Sequence, residues 1–255
     1  MSKGWSKGFT KETNVSVRKI SETMKSRNLD NSRPWRDEMR SIGLLPSYAP
    51  LERNADLAEL IGAVLGDGNI GVFPRSEVLR IASNSNNPGF AKRYAGIIFR
   101  VFGKRPTVAK VKRSNCLIIT IYEQYISKRL NIPSRNKKGV YFCLPRWISS
   151  NKVYLAAYLR GLIETDGSHC IHLPTGTYKL FFSNRNNSLL NNVQRGLKML
   201  GFHPHRSTFS VQLSKKKEVF RAIEIIKFRD YKKNKLAPKR KVLVIDKNIG
   251  RSSNR

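Results

Sequence analysis

The chain has 255 residues, 40% of them apolar, which is enough to bury the core of one large domain or of two fused smaller ones. Its 49 lysines and arginines against 17 acidic residues give a formal net charge of +32, which usually requires a polyanionic partner. Nucleic acid meets that requirement, whereas a membrane does not fit, because no apolar run reaches about 18 residues and no signal peptide is recognisable.

Residues 1–50 are predicted to be a basic N-terminal extension. Val17, Ile20 and Met24 recur at helical spacing, and a second short helix is expected from 33 to 41. The first of these helices, within 10–28, is interpreted either as an additional contact to DNA or as a helix that only packs against the protein.

Residues 51–130 form the first of two predicted halves. The half opens with an apolar helix that a glycine stops, and strands follow where apolar and polar residues alternate. The predicted elements after that helix are strands at 69–73 and 77–83, a helix at 88–102, a hairpin of 105–112 and 115–122, and a helix at 123–130.

Residues 131–151 are interpreted as a linker, because they contain Pro133, Gly139, Pro145 and a basic run at 135–138. Residues 152–230 form the second half, and residues 231–255 form a basic tail that is either a solvated segment or a phosphate-binding arm. After its own apolar helix, the second half is predicted to contain strands at 169–173 and 177–183, a helix at 187–200, a hairpin within 203–213 and a helix at 215–228.

The two halves share sequence landmarks at a nearly constant spacing. Asp67-Gly68 recurs as Asp166-Gly167, and SNSNN at 83–87 recurs as SNRNN at 183–187. Since an internal repeat indicates a repeated structural unit, we predict an α+β fold of two pseudo-symmetric αββαββα halves, with basic N- and C-terminal extensions.

Small residues line one face of each apolar helix, at positions i, i+4 and i+8. This spacing predicts that the two helices pack closely together, which would bring Asp67 and Asp166 side by side. Two close carboxylates repel each other, and a divalent cation such as Mg²⁺ would relieve that repulsion. The alternative is that each aspartate merely caps its helix before a left-handed glycine. The small residues are Ala58, Gly62 and Gly66 in the first helix and Ala157, Gly161 and Thr165 in the second.

The motif LRGLIETDG at 159–167 is similar to the signature of the LAGLIDADG homing endonucleases, and LIGAVLGDG at 60–68 resembles it more loosely. The resemblance covers roughly residues 55 to 230 and implies a monomeric, single-chain enzyme that cuts both strands of double-stranded DNA. It further implies that the two sheets form a DNA-binding saddle, and that Asp67 and Asp166 bind a catalytic Mg²⁺, with Mn²⁺ or Ca²⁺ substituting for binding.

The same resemblance assigns further site residues by their position in the repeat. Asn84, Asn184 and Lys215 are expected to order the attacking water and to neutralise the scissile phosphate, and helix capping is the alternative for the two asparagines. Strand residues would read bases in the major groove. The DNA-binding candidates are Arg75, Arg80, Lys110, Lys112, Lys179, Arg185, Arg206 and Gln212.

Two further possibilities stay open at this stage. The scaffold could serve a non-cleaving DNA-binding regulator or an RNA maturase with intron RNA as its partner. Both aspartates are kept, which favours the endonuclease but leaves open a maturase that also cuts DNA. A zinc site is not favoured, because the three cysteines form no Cys-x-x-Cys pattern and too few histidines cluster.

Free cysteines are typical of a reducing compartment, so a cytoplasmic or organellar location is expected.

Overall fold

The computed structural model describes residues 8–27, 33–45, 48, 50–134, 137 and 139–231. Within these ranges, no helix has both the length and the apolar character needed to cross a membrane. The predicted basic side chains of the tail lie outside the described residues, so their role stays a prediction. They are Lys232, Lys233, Lys235, Lys239, Arg240 and Lys241.

The elements follow the predicted order in both halves. The N-terminal extension holds α1 (Val15–Ser26) and α2 (Arg33–Ser41). The first half contains α3 (Ala55–Leu65), β1 (Gly68–Phe73), β2 (Ser76–Asn84), α4 (Pro88–Phe102), β3 (Thr107–Lys110), β4 (Cys116–Glu123) and α5 (Ile126–Leu130). A short helix α6 (Arg146–Ser149) precedes the second half, which contains α7 (Lys152–Asp166), β5 (Gly167–His172), β6 (Thr177–Ser183), α8 (Asn187–Met199), β7 (His205–Arg206), β8 (Ser210–Leu213) and α9 (Lys216–Ile226).

Each half folds its strands into one four-stranded antiparallel sheet. The strand orders are β1-β2-β4-β3 and β5-β6-β8-β7, so the two sheets have the same topology. The predicted α+β fold of two αββαββα halves is therefore confirmed. The second hairpin of the second half is shorter than its counterpart, because β7 has only two residues.

Asparagine caps fix the start of both long central helices. The side chain of Asn54 accepts the backbone N–H of Leu57, and the side chain of Asn151 accepts those of Val153 and Tyr154. These bonds satisfy N–H groups that the first helical turn leaves without a partner. The two helices consequently begin at defined points and present their acidic motifs at the opposite ends.

One hydrophobic core extends through both halves and includes the segment between them. Ile132, Phe142, Leu144 and Ile148 are buried in this core, although residues 131–151 were interpreted as a linker. The sequence did not predict this burial, because the apolar residues of the segment follow no helical or strand period and stand among prolines and basic residues. The segment therefore joins the halves and also packs between them.

Candidate active site

The central helices α3 and α7 cross with their backbones in direct contact. A Cβ added to Gly62 would lie 2.2 Å from the carbonyl oxygen of Tyr158, and one added to Gly161 would lie 2.2 Å from the carbonyl oxygen of Glu59. Neither position therefore has room for a larger side chain. The predicted close packing through small residues is present, and the crossing lies a little more than one helical turn before the two aspartates.

The crossing brings the two aspartates to the same end of the helix pair. Asp166 is the last residue of α7, whereas α3 ends at Leu65 and Asp67 follows its cap, Gly66. A Cβ on Gly66 would lie 3.3 Å from Oδ2 of Asp166, so the second acid reaches the residue next to the first. Each half thus contributes one carboxylate to a common site.

The glycines after the aspartates are required by space and not by a left-handed backbone. Gly167 is extended, with φ −105°, and Gly68 has no positive φ either. A Cβ on Gly68 would lie 2.4 Å from Cα of Val64, and one on Gly167 would lie 2.4 Å from the carbonyl oxygen of Ile163. The left-handed cap considered for these positions is therefore wrong. The glycines instead let each chain turn tightly from helix to strand beneath its acid.

Both carboxylates have raised pKa values, and the cause is mainly the loss of surrounding water. Part of the Asp67 residue is exposed, but the surrounding protein removes water from its carboxyl and thereby raises its pKa. The positive charge of Lys137 lowers the same pKa and opposes this effect. Burial and the negative charge of Asp67 raise the pKa of Asp166, while Asn184 and Lys137 lower it. The two acids are therefore close enough to repel each other, as two ligands of one cation would.

Lys137, which comes from the segment between the halves, is a basic side chain whose charge acts on both acids. Its amine donates hydrogen bonds to three carbonyl oxygens at the end of α3, and burial lowers its pKa against the favourable charges of Asp166 and Asp67. Within the basic run at 135–138, sequence gave no signal that distinguished this lysine, because its partners lie more than seventy positions away in the chain.

Lys215, the lysine expected at the site, has a different environment. It precedes α9, its side chain is 73% exposed, and its amine lies 3.8 Å from the carboxylate of Glu218. The register of β6 and β8 pairs Ser210 with Ser183 at the end near Asn184, whereas Lys215 follows the opposite end of β8. A catalytic role for Lys215 stays a prediction.

The two nominated asparagines differ in their contacts. The Asn184 side-chain amide donates to Oδ2 of Asp166 at 2.8 Å, and its oxygen accepts the N–H of Asn186. The Asn84 oxygen likewise accepts the N–H of Asn86, but the register of β2 places Asn84 opposite Cys116, on the sheet face that carries Arg80. The helix caps themselves are Asn87 and Asn186, so the capping alternative does not apply to Asn84 and Asn184.

The register shows which DNA-binding candidates lie on the sheet faces away from the core. Arg80 belongs to the cross-strand row Asn69, Arg80, Thr120, Thr107, and Gln212 belongs to the row Ser168, Phe181, Gln212, His205. Lys179, two residues before Phe181, shares the latter face. These three candidates can therefore face a ligand lying along the sheets.

Other candidates lie elsewhere on the surface. Lys110 pairs with Leu117, and Arg206 pairs with Val211, which places both on the faces that carry the helices. Arg206 also donates to the side-chain oxygen of Asn187 at 3.2 Å. The remaining three are exposed in turns or beyond strand ends and are Arg75, Lys112 and Arg185.

The earlier acid of the second motif, Glu164, has a structural environment. Its carboxylate is buried and accepts the backbone N–H of Arg229 at 2.6 Å and the hydroxyl of Tyr231 at 2.5 Å. Arg160 on the same helix contacts Asp230 and the carboxylate of Glu59 on α3. These bonds attach the chain after α9 to the back of the helix pair, away from the position of a metal ligand.

The acid pair has the composition of a cation site that needs a further ligand. Among the described residues, no group of three or more His, Cys, Asp or Glu side chains could hold a metal ion. Mg²⁺ accepts one or two protein carboxylates when substrate phosphate oxygens and water complete its coordination. Asp67 and Asp166 therefore fit a cation that is bound jointly with a phosphate.

The raised pKa of Asp166 predicts that its charge destabilises the metal-free protein. The ionised form is disfavoured in the folded state, so its cost is present at neutral pH and is lost as pH falls through the raised pKa. We expect Asp166→Asn to raise the thermal midpoint at pH 7 by roughly 1–4 °C, and this gain to disappear below about pH 3.9. The thermal midpoints of the wild type and the variant, measured in EDTA from about pH 3.5 to about pH 7.5, test this expectation because that range covers the titration of a carboxyl group.

Asp56→Asn is the control, because the bond to Arg100 lowers the pKa of Asp56 and predicts a change of opposite sign at pH 7. A loss of stability in Asp166→Asn at neutral pH would contradict the expected repulsion.

Comparison with known proteins supports the fold at low sequence identity. No family model and no curated protein matches this sequence. Full-length DUF199/WhiA from Thermatoga maritima aligns with a TM-score of 0.51 at 16% identity, over 73% of this chain and 59% of that chain. The N-terminal LAGLIDADG domain of DUF199/WhiA aligns with a TM-score of 0.47 at 15% identity, over 70% of this chain and 86% of that chain. Mesophilic variants of the homing endonuclease I-DmoI align with a TM-score of 0.47 at 16% identity, over 68% of this chain and 94% of that chain. The likeness concerns the fold, which is of the LAGLIDADG two-half type.

Proposed function

We propose that this chain is a metal-dependent, site-specific endonuclease that hydrolyses both strands of double-stranded DNA, as the homing endonucleases that its motifs resemble do. One observation carries the proposal: two repeated helices cross so that one carboxylate from each reaches a common site. A structural cap alone gives no reason for a pair of mutually repelling acids to be retained in a chain with 17 acidic residues in total.

Asp67 and Asp166 would hold the cation, which is proposed to be Mg²⁺, with Mn²⁺ or Ca²⁺ substituting for binding. Bound there, the metal would activate water and stabilise the charge that develops on the phosphate. The Asn184 amide fixes the orientation of the Asp166 carboxylate. Asn84 and Lys215 remain proposed contributors to the same chemistry.

The charge distribution supports a duplex as the partner. The net charge of +32 favours a polyanion, and Arg80, Lys179 and Gln212 can contact base edges from the sheet faces away from the core. Candidates beyond those faces, such as Lys110 and Arg206, suit phosphate contacts at the margins of the interface better than base contacts. Residues 51–130 and 152–230 would each bind one side of the target, and the chain would act as a monomer.

A non-cleaving DNA-binding regulator or an RNA maturase is the alternative function on this scaffold. Such a protein would bind DNA or intron RNA with the same basic surface but would not need the acid pair. Cleavage therefore separates the proposed endonuclease from a protein that only binds nucleic acid.

The test begins with the recovery of cleavable sites from a randomised DNA library. A supercoiled plasmid carrying a recovered site is expected to become linear in Mg²⁺, and EDTA is expected to block the reaction because the acids would lose their shared cation. Gel electrophoresis of the plasmid forms measures this. A plasmid without the site, treated in parallel, is expected to stay supercoiled. Binding of DNA without any cleavage in Mg²⁺ or Mn²⁺ would favour the regulator instead.

A further inference from the structure

One apolar side chain of the first sheet is buried on the face away from the helices. The register pairs Val78 with Gly71 on one side and with Tyr122 on the other. Val78 also lies two residues before Arg80, so it shares the outer sheet face with that side chain. Val78 is fully buried, yet it is not among the residues of the common hydrophobic core. The outer face of this sheet therefore carries a small apolar cluster of its own.

Two aromatic side chains flank Val78 on this face. The ring centroids of Phe73 and Tyr122 lie 6.1 Å apart, and these residues are 45% and 49% exposed. A Cβ added to Gly71 would lie 3.0 Å from Cγ1 of Val78 and 3.6 Å from Nη1 of Arg80, so the guanidinium group lies at the margin of the same cluster. We call Phe73, Val78 and Tyr122 the outer apolar cluster. It presents half-exposed rings beside a candidate for base contacts.

The second sheet has polar side chains at the corresponding places. Counted from the first residue pair of each hairpin, Lys179 takes the place of Val78. His172 takes the place of Phe73, and both polar residues are exposed. The outer apolar cluster is therefore a property of the first half and not a requirement of the shared topology.

The geometry points to the outer apolar cluster as a reader of thymine in the half of the target that residues 51–130 would bind. This inference rests on the proposed function, in which the outer sheet faces contact the major groove. The 5-methyl group of thymine is the apolar group that distinguishes a base pair there, because the other distinguishing groups are hydrogen-bond donors and acceptors. The rings of Phe73 and Tyr122 offer apolar surface to such a methyl group.

The place of the cluster along the sheet determines which thymines are involved. Strand β1 begins directly after Asp67 and runs away from it. At about 3.3 Å per residue, Gly71 and Phe73 lie about 13 and 20 Å along the chain from that acid. The acids would act near the centre of the target, so the thymines that contact the cluster belong to its outer part.

Deoxyuridine differs from thymidine only in lacking the 5-methyl group, so it tests the contact without any change in the protein. Sites that bind the full chain in Ca²⁺ are recovered from a randomised DNA library, and each thymine of one site is then replaced in turn. We expect a preference for A·T pairs at outer positions of one half, and a loss of affinity of about fourfold for each contacted methyl group removed there. Equal affinity after every replacement would overturn the inference.

Serine variants connect the effect to the cluster. The difference between the thymine and deoxyuridine targets is expected to disappear in Phe73→Ser, in Tyr122→Ser or in both, whereas Tyr122→Phe keeps the ring and should keep the difference. His172→Ser changes the corresponding place of the second sheet and is the matched control, so it should keep the difference as well. If both serine variants weaken the two targets equally and keep the fourfold difference, the rings merely cover Val78 and the inference is wrong.

The measurement of binding separates this inference from the proposed nuclease activity. Binding without cleavage would refute the nuclease, and the deoxyuridine comparison would still decide whether the cluster reads thymine. Cleavage without any effect of deoxyuridine would refute the thymine contact alone. A chain that binds no DNA would overturn both.

Discussion

Asparagine at position 67 or 166 is expected to abolish double-strand cleavage while leaving DNA binding intact. The substitution keeps the shape of the side chain but removes the charge that a shared cation requires. Loss of metal-assisted stabilisation amounts to several kcal/mol, so we expect the rate of double-strand cleavage to fall by about a thousandfold or more. Affinity for the target should be unchanged or slightly higher, because a negative charge facing phosphate is removed.

The measurement is single-turnover cleavage of a recovered target, alongside binding in Ca²⁺. Asp56→Asn provides the matched control, since Asp56 lies at the far end of α3 and bonds to Arg100, an exposed pair worth at most about 1 kcal/mol. It should cut at close to the wild-type rate. Wild-type cleavage by Asp166→Asn would remove this acid from the mechanism.

Among the substitutions proposed, Gly62→Ala and Gly161→Ala are expected to lower the free energy of unfolding most. The added methyl group of Gly161→Ala would meet the backbone of Glu59 at 2.2 Å and that of Ala63 at 2.6 Å, neither of which can rotate away. Overpacking of this kind costs about 1–3 kcal/mol or more, and each kcal/mol lowers the thermal midpoint by about 2–4 °C in a chain of this size. Separation of the helices would also move the two acids apart, so cleavage should fall as well.

Gly96→Ala in α4 separates packing from helix propensity. A Cβ on Gly96 meets only the guanidinium end of Arg100, at 3.3 Å, and alanine favours a helix over glycine by about 1 kcal/mol. This variant should be as stable as the wild type or more so. Equal thermal midpoints for Gly161→Ala and Gly96→Ala would show that the helix crossing tolerates a side chain.

The repeated pattern of the sequence was sufficient for the fold. Alternation at 77–83 and the glycines of the motif helices predicted β2 and the crossing of α3 with α7, because both follow from local period and side-chain size. The site was predicted less completely. Asp67, Asp166 and Asn184 come together, and all three belong to repeated motifs.

The position of Lys137 beside the two acids could not be predicted. It depends on where the segment at 131–151 packs against α3, and this segment has no helical or strand period. The three carbonyl partners of Lys137 carry no sequence signal of their own, since any residue supplies a backbone oxygen. The faces of Lys110 and Arg206 were missed for a related reason. One residue of register decides which side of a sheet a side chain occupies, and register depends on hairpin turns that composition defines poorly.

The rows of side chains on the two sheets differ, although the sheets share one topology. Asn69, Arg80, Thr120 and Thr107 in one half correspond to Ser168, Phe181, Gln212 and His205 in the other. A homodimer must present identical surfaces and thereby demands a palindrome. In the proposed endonuclease, one polypeptide holding both halves would free each sheet to diverge, so that one half of the target could change in sequence while the other half stays constrained.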